Sequence, residues 1–516
     1  MTSPAPDRAI LPLWAALVAA VVGGLALDAS FPSLGIWPLA FVSVALSLVS
    51  LIGRRVWSAS VVGLVYGLAF YLPHIDWAAR FLGDDPLNWV PWVALAGVES
   101  IFMGAGAIVI ALAYRWISRV MRPGPWRLAA TSLVVAGVWT SRELIMGSWP
   151  YGGFPWGRIG MSQSESPLAV VTSWVGVAGL TFLMVLVVAL AIEAVRVMRV
   201  RRTVGWWALT APALLLIALI LLPQFPTANA GSFRVVAVQG NGPTAYLDQG
   251  ERYDVLDAQL QATEEAVGVD PDLVVWPEGG VGLDPLDDAN AAAVLDRATR
   301  MVGAPILLNA AVPDGDLVFN RSMLWTAGGV EQSHDKRYPV PFGEYVPDRG
   351  LYEKIVPSLI GMIGREYEPG TDSPVMDIDG VQAALAICFD VLFDQHIEEG
   401  ISGGAQVLIF QTNNADFRGT DENLQQLAFA RMRAIESGRS VVNVSTVGTS
   451  QVIAPDGTTI DQIGVDEQGA IIADVELRDG TTPGILLGAG IRGFLLWIPL
   501  VSAAIFGVLA SRLQRG

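Results

Sequence analysis

The sequence predicts a multi-span α-helical membrane domain of eight transmembrane helices joined to an extracytoplasmic α/β domain, and three observations carry that reading. Of the 516 residues, 52% are apolar and 16% charged, and the mean hydropathy is +0.48, too apolar for an ordinary soluble chain of this length. The apolar residues are unevenly placed. Residues 1–222 and 489–511 hold long uncharged runs, whereas 223–488 alternates short β-branched runs with helix-like stretches. Arginine clusters, finally, follow every second apolar run. The domains read accordingly as 1–222 for the first seven membrane helices, 223–488 for the α/β domain, and 489–516 for an eighth helix with a short tail.

Segments near 9–27, 35–52, 56–75, 90–114, 126–146, 168–195, 205–222 and 489–511 each approach or exceed the roughly 20 residues that cross a hydrocarbon core. Arg54 and Arg55 follow the second, Arg115, Arg119, Arg122 and Arg127 the fourth, Arg196, Arg199, Arg201 and Arg202 the sixth, and Arg512 and Arg515 the eighth. The intervening loops carry only Arg80, Arg142 and Arg158. The excess of arginine on cytoplasmic loops then puts both termini in the cytoplasm and 223–488 outside, between spans seven and eight. Arg8 and the apolar run ending in Ala26-Leu27-Asp28-Ala29-Ser30 have the form of a cleavable signal peptide, but seven further spans of consistent orientation make this an uncleaved first helix. The α/β domain holds 40 acidic against 15 basic residues, a net charge of −25, which argues against nucleic acid as a partner.

Within 223–488, strands are expected at 233–238, 273–276, 305–311, 323–326, 383–387, 407–411, 440–447 and 470–475, and helices at 249–268, 287–302 and 420–437. Ala454-Pro455-Asp456-Gly457-Thr458 is a turn between strands. Strands alternating with helices call for sheets covered by helices.

The chain has one cysteine, Cys388, at the end of the apolar run Ala383-Ala384-Leu385-Ala386-Ile387. It can form neither an internal disulfide nor a multi-thiolate metal site, so it is either an inert buried side chain or a nucleophile. Two segments favour the nucleophile. The strand Leu273-Val274-Val275-Trp276 stops at Pro277 and delivers Glu278 at its end. The segment His334-Asp335-Lys336-Arg337-Tyr338-Pro339-Val340-Pro341-Phe342-Gly343-Glu344 holds one of only two lysines, Lys336 and Lys354, in a chain with arginine at thirty positions. A thiol with a free pKa near 8.5 needs a base, for which Glu278 is the candidate. Attack on an acyl carbonyl creates an oxyanion, which a compact ammonium such as Lys336 can stabilise where a planar guanidinium fits poorly. All three residues fall at or just beyond strand ends, where α/β sheets place their chemistry. The histidines His74, His334 and His396 are scattered without paired spacing for zinc. There is no Gly-x-Ser-x-Gly elbow, Walker loop or dinucleotide fingerprint, so no cofactor and no metal is expected.

The ordered set of a glutamate after Trp-Pro, a lysine before Val-Pro-Phe-Gly-Glu-Tyr, and Cys-Phe-Asp resembles the Glu-Lys-Cys triad of the nitrilase (carbon-nitrogen hydrolase) superfamily. Val238-Gln239-Gly240-Asn241, Pro341-Phe342-Gly343-Glu344, Gln411-Thr412-Asn413-Asn414 and Arg431-Met432-Arg433-Ala434-Ile435-Glu436 resemble its membrane branch, the apolipoprotein N-acyltransferases, over nearly the whole chain. The resemblance implies a four-layer α-β-β-α domain. It also implies a supporting role for Glu344, whose carboxylate would hold the Lys336 ammonium charged and oriented, and for Phe389 and Asp390 beside the cysteine. Asp390 is shorter than the glutamate of those acyltransferases, and with Phe389 it is closer to the soluble nitrilases.

Phe154 and Trp156, in the loop Trp149-Pro150-Tyr151-Gly152-Gly153-Phe154-Pro155-Trp156 ahead of Gly160-Met161-Ser162-Gln163, would shape a lipid entrance, and Asn413 and Phe417 would bind substrate. Asp416 stands where the family motif has an aromatic residue. The implied activity is transfer of an acyl chain from a membrane phospholipid to the α-amino group of the diacylglyceryl-cysteine of an apolipoprotein acceptor. It would be carried out by a monomer in the bacterial cytoplasmic membrane. A membrane-tethered amidase using the same three residues is the alternative, and a catalytically idle lipid-binding scaffold is a third reading.

Overall fold

A computed structural model describes residues 8–200, 208–246 and 250–515. The chain divides into two compact units, one formed by residues up to Asp76 with Val90–Pro223 and Leu487–Gly516, the other by Trp77–Trp89 and Gln224–Leu486.

The first unit is helical. Each of the eight expected spans contains an apolar helix, and five are long and apolar enough to cross a membrane: Val56–His74, Trp89–Val120, Pro125–Met146, Ala169–Arg199 and Gly488–Gln514. The other three, Leu13–Asp28, Leu39–Leu51 and Thr210–Ile220, have 16, 13 and 11 residues. They are shorter because chain punctuation falls inside the apolar runs. Pro12 and Pro38 precede the first two, and the second stops before Gly53, which takes a positive φ of 74°. Part of the expected span 205–222 lies outside the described residues, as do Arg201 and Arg202.

Small residues let these helices approach closely. A Cβ on Gly24 would come 2.6 Å from the Tyr66 carbonyl oxygen, and one on Gly67 would come 2.7 Å from Ser100 Cα. An ion pair is buried among the helices. Glu143 Oε1 accepts Trp139 Nε1–H at 3.0 Å and Arg142 Nη2–H at 3.3 Å, while Oε2 accepts the Thr181 hydroxyl at 3.2 Å. Each charge is thereby partnered, as an apolar surrounding requires.

The second unit has two six-stranded sheets. Its strands are β1 (Ala228–Gln239), β2 (Leu273–Val275), β3 (Ile306–Asp314), β4 (Leu317–Thr326), β5 (Gly329–Asp335), β6 (Val375–Ile378), β7 (Val381–Ile387), β8 (Val407–Thr412), β9 (Ser440–Ser445), β10 (Ser450–Ile453), β11 (Thr459–Ile463) and β12 (Gly469–Asp479). One sheet runs β12-β1-β2-β3-β4-β5, the other β11-β10-β9-β8-β7-β6. The pairs β1-β2 and β2-β3 are parallel, as are β7-β8 and β8-β9.

The period of two in each strand sorts the core. Val235, Ala237, Leu273 and Val275 of one sheet meet Leu385, Ile409, Val442 and Val444 of the other. The alternate residues Val236, Val238, Val274 and Trp276 face helices Asp254–Thr263 and Ala289–Val302 through Leu256, Ala262, Leu295 and Ala298. Helices Asp394–Ser402 and Glu422–Ser437 pack on the second sheet. The four layers implied by the resemblance are therefore present.

All eight expected strands appear, and four more were not anticipated: β5, β6, β10 and β11. Three of these are edge strands. An edge strand contributes little to the core and carries polar residues, as in Gly329-Val330-Glu331-Gln332-Ser333-His334-Asp335, so it lacks the apolar run that betrays a central strand. The turn at 454–458 joins β10 to β11.

Beneath the second sheet's helices, the wholly buried Arg433 ties three segments together. It donates to Val391 O and Leu392 O, each at 2.8 Å, and pairs with Glu436 at 2.6 Å and Asp394 at 2.8 Å. Arg433→Ala takes the cation from two buried carboxylates and should cost about 3–5 kcal/mol. The expected readout is a clearly lower midpoint of thermal unfolding in detergent; an unchanged midpoint would contradict this account.

Candidate active site

The buried end of β2 sets the position of Glu278. Trp276 N–H still bonds to Leu307 O at 2.9 Å, Pro277 then ends the strand, and Gly279, at φ 67°, donates its N–H to Asn309 Oδ1 at 2.8 Å. Lys336 follows β5 directly and is 1% exposed. Its Nζ donates to Glu278 Oε1 at 3.0 Å and Glu344 Oε1 at 2.9 Å. Asn320 of β4 bonds to the same two oxygens, at 2.7 and 3.2 Å, and is itself oriented by Asn309 Nδ2 at 2.8 Å. Val340 N–H holds the other oxygen of Glu344 at 2.7 Å.

Cys388 begins a 3₁₀ turn, Cys388–Leu392, at the end of β7, with a φ of 51°. Few residues other than glycine adopt this left-handed conformation, and here it turns the side chain out of the strand's alternation. Asp390 fixes the turn. Its carboxyl accepts Ile387 N–H at 3.1 Å, Tyr338 N–H at 2.8 Å and Arg337 N–H at 3.4 Å, so one buried side chain pins the cysteine turn to the segment after Lys336. Phe389 is buried and meets Phe393 edge-on at 5.3 Å. The two sheets are tied here as well. Ser322 Oγ donates to Gln411 Oε1, and Gln411 Nε2 donates to Trp276 O at 2.6 Å, linking the strand that leads to Glu278 with the neighbour of the strand that carries Cys388.

The electrostatics follow from this burial. Burial pushes the Glu278 carboxyl above its ordinary value, and the Lys336 charge opposes that shift while Glu344 adds to it. Burial works against the Lys336 ammonium, but Glu278 and Glu344 outweigh it and hold the lysine well above its ordinary value. The Cys388 thiol is pushed well up, first by burial and then by Glu278, with Lys336 pulling it down. Burial thus raises both the thiol and the carboxyl beside an ammonium that two carboxylates hold charged.

The structure thus brings together Glu278, Lys336, Cys388, Glu344, Phe389 and Asp390. Phe154 and Trp156 lie in the helical unit, where their rings stack at 6.1 Å. Asn413 ties down a loop: its Oδ1 accepts Thr446 Oγ1–H at 2.9 Å and Thr244 Oγ1–H at 3.2 Å. Phe417 meets Trp77 edge-on at 5.1 Å, and Trp77 Nε1 donates to Gln425 Oε1 at 3.3 Å, so segment Trp77–Trp89 belongs with this unit although it lies between two apolar helices in sequence. Asp416 accepts Tyr246 N–H at 2.7 Å, and burial lifts its carboxyl to about 6.

Sequence reasoning missed Asn320 and Gln426. Gln426 Nε2 donates to Cys388 Sγ at 3.4 Å, and its Oε1 accepts from Asn414 Nδ2, which also bonds Glu422 at 2.7 Å. Burial raises the Glu422 carboxyl to about 8. A signal existed in both cases. Asn320 and Ser322 put polar groups on the alternation of a strand, and Glu422 and Gln426 stand four apart on a helix whose buried face repeats polar residues, Gln425 and Arg433 among them. The histidines, scattered in sequence, also converge. His334 and His396 have ring centroids 6.0 Å apart, and with Asp390 they form a buried group whose ligand atoms lie within 4.8 Å of one another.

Residues 23–190 match the apolipoprotein N-acyltransferase N-terminal domain, and 234–482 match the carbon-nitrogen hydrolase family. The apolipoprotein N-acyltransferase of Mycolicibacterium smegmatis is 32% identical, over 95% of this chain and 84% of that protein. The chain belongs to the apolipoprotein N-acyltransferase family. Another relative of that name, from Azotobacter vinelandii, is 28% identical over 92% of this chain and 91% of its own. An amidase from Nesterenkonia sp. superposes with a TM-score of 0.35 at 18% identity, over 49% of this chain and 94% of that one.

The single cysteine of this apolipoprotein N-acyltransferase family member makes the electrostatics directly measurable. Alkylation of Cys388, followed by intact mass against pH, should titrate above an ordinary thiol. Glu344→Gln removes a charge that raises the thiol and should move the midpoint down, whereas Lys336→Met removes one that lowers it and should move the midpoint up. Shifts of the opposite sign would refute the assigned geometry.

Proposed function

We propose that this protein transfers an acyl chain from a membrane phospholipid to the α-amino group of the N-terminal diacylglyceryl-cysteine of a lipoprotein, by way of a thioester on Cys388. The observation that carries this reading is the buried Glu278–Lys336–Glu344 group beside the one cysteine, in a chain of this family with long apolar helices. Glu278 takes the thiol proton as Sγ attacks the ester carbonyl carbon. Both hydrogen bonds described above fall on its Oε1, so its second oxygen is the natural acceptor. Lys336 Nζ–H supports the oxyanion of the tetrahedral intermediate. Collapse breaks the ester C–O bond, and the lysophospholipid alkoxide leaves with the proton from Glu278.

In the second half the free amine attacks the thioester, Glu278 takes a proton from the attacking nitrogen, and the thiolate departs and is reprotonated. Gln426 Nε2–H, at 3.4 Å from Sγ, stabilises the sulfur in both thiolate states.

The membrane helices serve proximity, because both substrates are lipids whose acyl chains a free-standing site could not collect cheaply. The topology that fits is eight spans, with the three shorter helices among them, both termini in the cytoplasm and the α/β unit outside the bacterial cytoplasmic membrane. Phe154 and Trp156 would then lie on the outer side, at the lipid entrance. The working unit is a monomer.

Intact mass of the detergent-purified protein after incubation with a defined phospholipid tests the scheme. Wild type should gain one acyl chain and lose it when a diacylglyceryl-cysteine peptide is added; Cys388→Ala should gain none. Discharge into free fatty acid regardless of peptide would make the protein a hydrolase instead. Gln426→Leu should slow acylation by about tenfold, equivalent to ~1.4 kcal/mol, and an unchanged rate would remove Gln426 from the mechanism.

A further inference from the structure

We propose that His334, His396 and Asp390 form a binding site for a divalent cation of the zinc class, behind the turn that carries Cys388. His396 Nε2 lies 2.7 Å from Leu385 O, and a carbonyl can only accept, so Nε2 carries the hydrogen and Nδ1 presents a lone pair. His334 Nδ1 lies 3.2 Å from Asp372 Oδ2, which places its hydrogen on Nδ1 and leaves a lone pair on Nε2. These two inward nitrogens are buried and have no hydrogen-bond partner, and both histidines are 2% exposed. One ring nitrogen of each histidine and an oxygen of Asp390 lie within 4.8 Å of one another. Adding a second proton to either ring would supply a hydrogen but leave a buried charge in its place.

Two buried ring lone pairs without a donor, beside a carboxylate, suit a cation. The surroundings have the form that metal sites take, in which each ligating histidine gives its other N–H to a carboxylate or backbone carbonyl: Asp372 for His334 and Leu385 O for His396. Two imidazoles and one carboxylate suit zinc and its transition-metal neighbours rather than magnesium or calcium, and zinc is the probe for that class. A tetrahedral ion with bonds of about 2.1 Å needs its donors about 3.4 Å apart, so the group would close on it.

The role is positioning rather than catalysis. Asp390 accepts the backbone N–H groups of Ile387 and Tyr338, and His334 is two residues before Lys336, so a bound ion would clamp the lysine-bearing segment to the cysteine turn.

The sequence has three histidines and one cysteine, which makes the test clean. The full chain, purified in detergent without a polyhistidine tag, is loaded with zinc, gel-filtered, and its metal measured by mass spectrometry beside its thermal midpoint in zinc and in chelator. About one zinc per chain and a higher midpoint in zinc are expected for wild type, His74→Asn and Cys388→Ala. His334→Asn and His396→Asn should both fall below about a tenth of a zinc per chain, each judged on the monodisperse fraction. Three results would each overturn the site: wild type without zinc and with the same midpoint in both buffers, zinc retained by both histidine variants, or zinc lost with Cys388.

Discussion

The Lys336 ammonium, sealed in the α/β unit between the carboxylates of Glu278 and Glu344, is the constraint from which the rest of the site follows. An uncompensated charge at that depth would cost several kcal/mol, so the fold must bring it partners. Glu278 comes from the end of β2, Asn320 from β4, and Glu344 from a loop that returns to Lys336. Once these are in place the Glu278 carboxyl is hydrogen-bonded and the Lys336 ammonium is oriented before any ligand arrives. Burial, and after it the charge of Glu278, raises the Cys388 thiol beside this group.

The second constraint is the cysteine turn. Cys388 leaves β7 in a left-handed conformation that its neighbours must enforce. Asp390 does so from one side through backbone N–H groups on two segments, and Arg433 does so from the other through Val391 O and Leu392 O. Gln411 sets the spacing between the sheets, because its amide spans from Ser322 to Trp276 O. Glu278 and Cys388 stand on different sheets, so without such a bridge their separation would depend on apolar packing alone. Asp390 is short enough to turn back on its own chain and accept Ile387 N–H, three residues earlier.

In the helical unit the physical problem is reversed, because apolar surface needs no explanation and polar groups do. Glu143 and Arg142 are both buried and answer each other, helped by Trp139 and Thr181, while outward positions carry exposed apolar side chains such as Leu214, Trp497 and Val501. Close packing there rests on glycines such as Gly24 and Gly67, which have no side chain to hold the backbones apart.

The sequence by itself determined the features that local pattern encodes. The apolar runs marked the helices, β-branched runs marked the central strands, and Glu278, Lys336 and Cys388 stood out because each is a rare or oddly placed residue at a strand end. Edge strands such as β5 and β11 were illegible because one exposed flank leaves no apolar run to read. Only the tertiary structure decided which distant residues meet. Asn320, Gln426 and the pairing of His334 with His396 depend on register between strands and on a helix laid over a sheet, and no spacing along the chain records them. Segment Trp77–Trp89 likewise joined the α/β unit through Trp77 against Phe417 and Phe81 against Tyr246, at 5.1 and 5.7 Å. Such partnerships are set by which surfaces bury together, and burial is a property of the folded chain rather than of any one stretch of it.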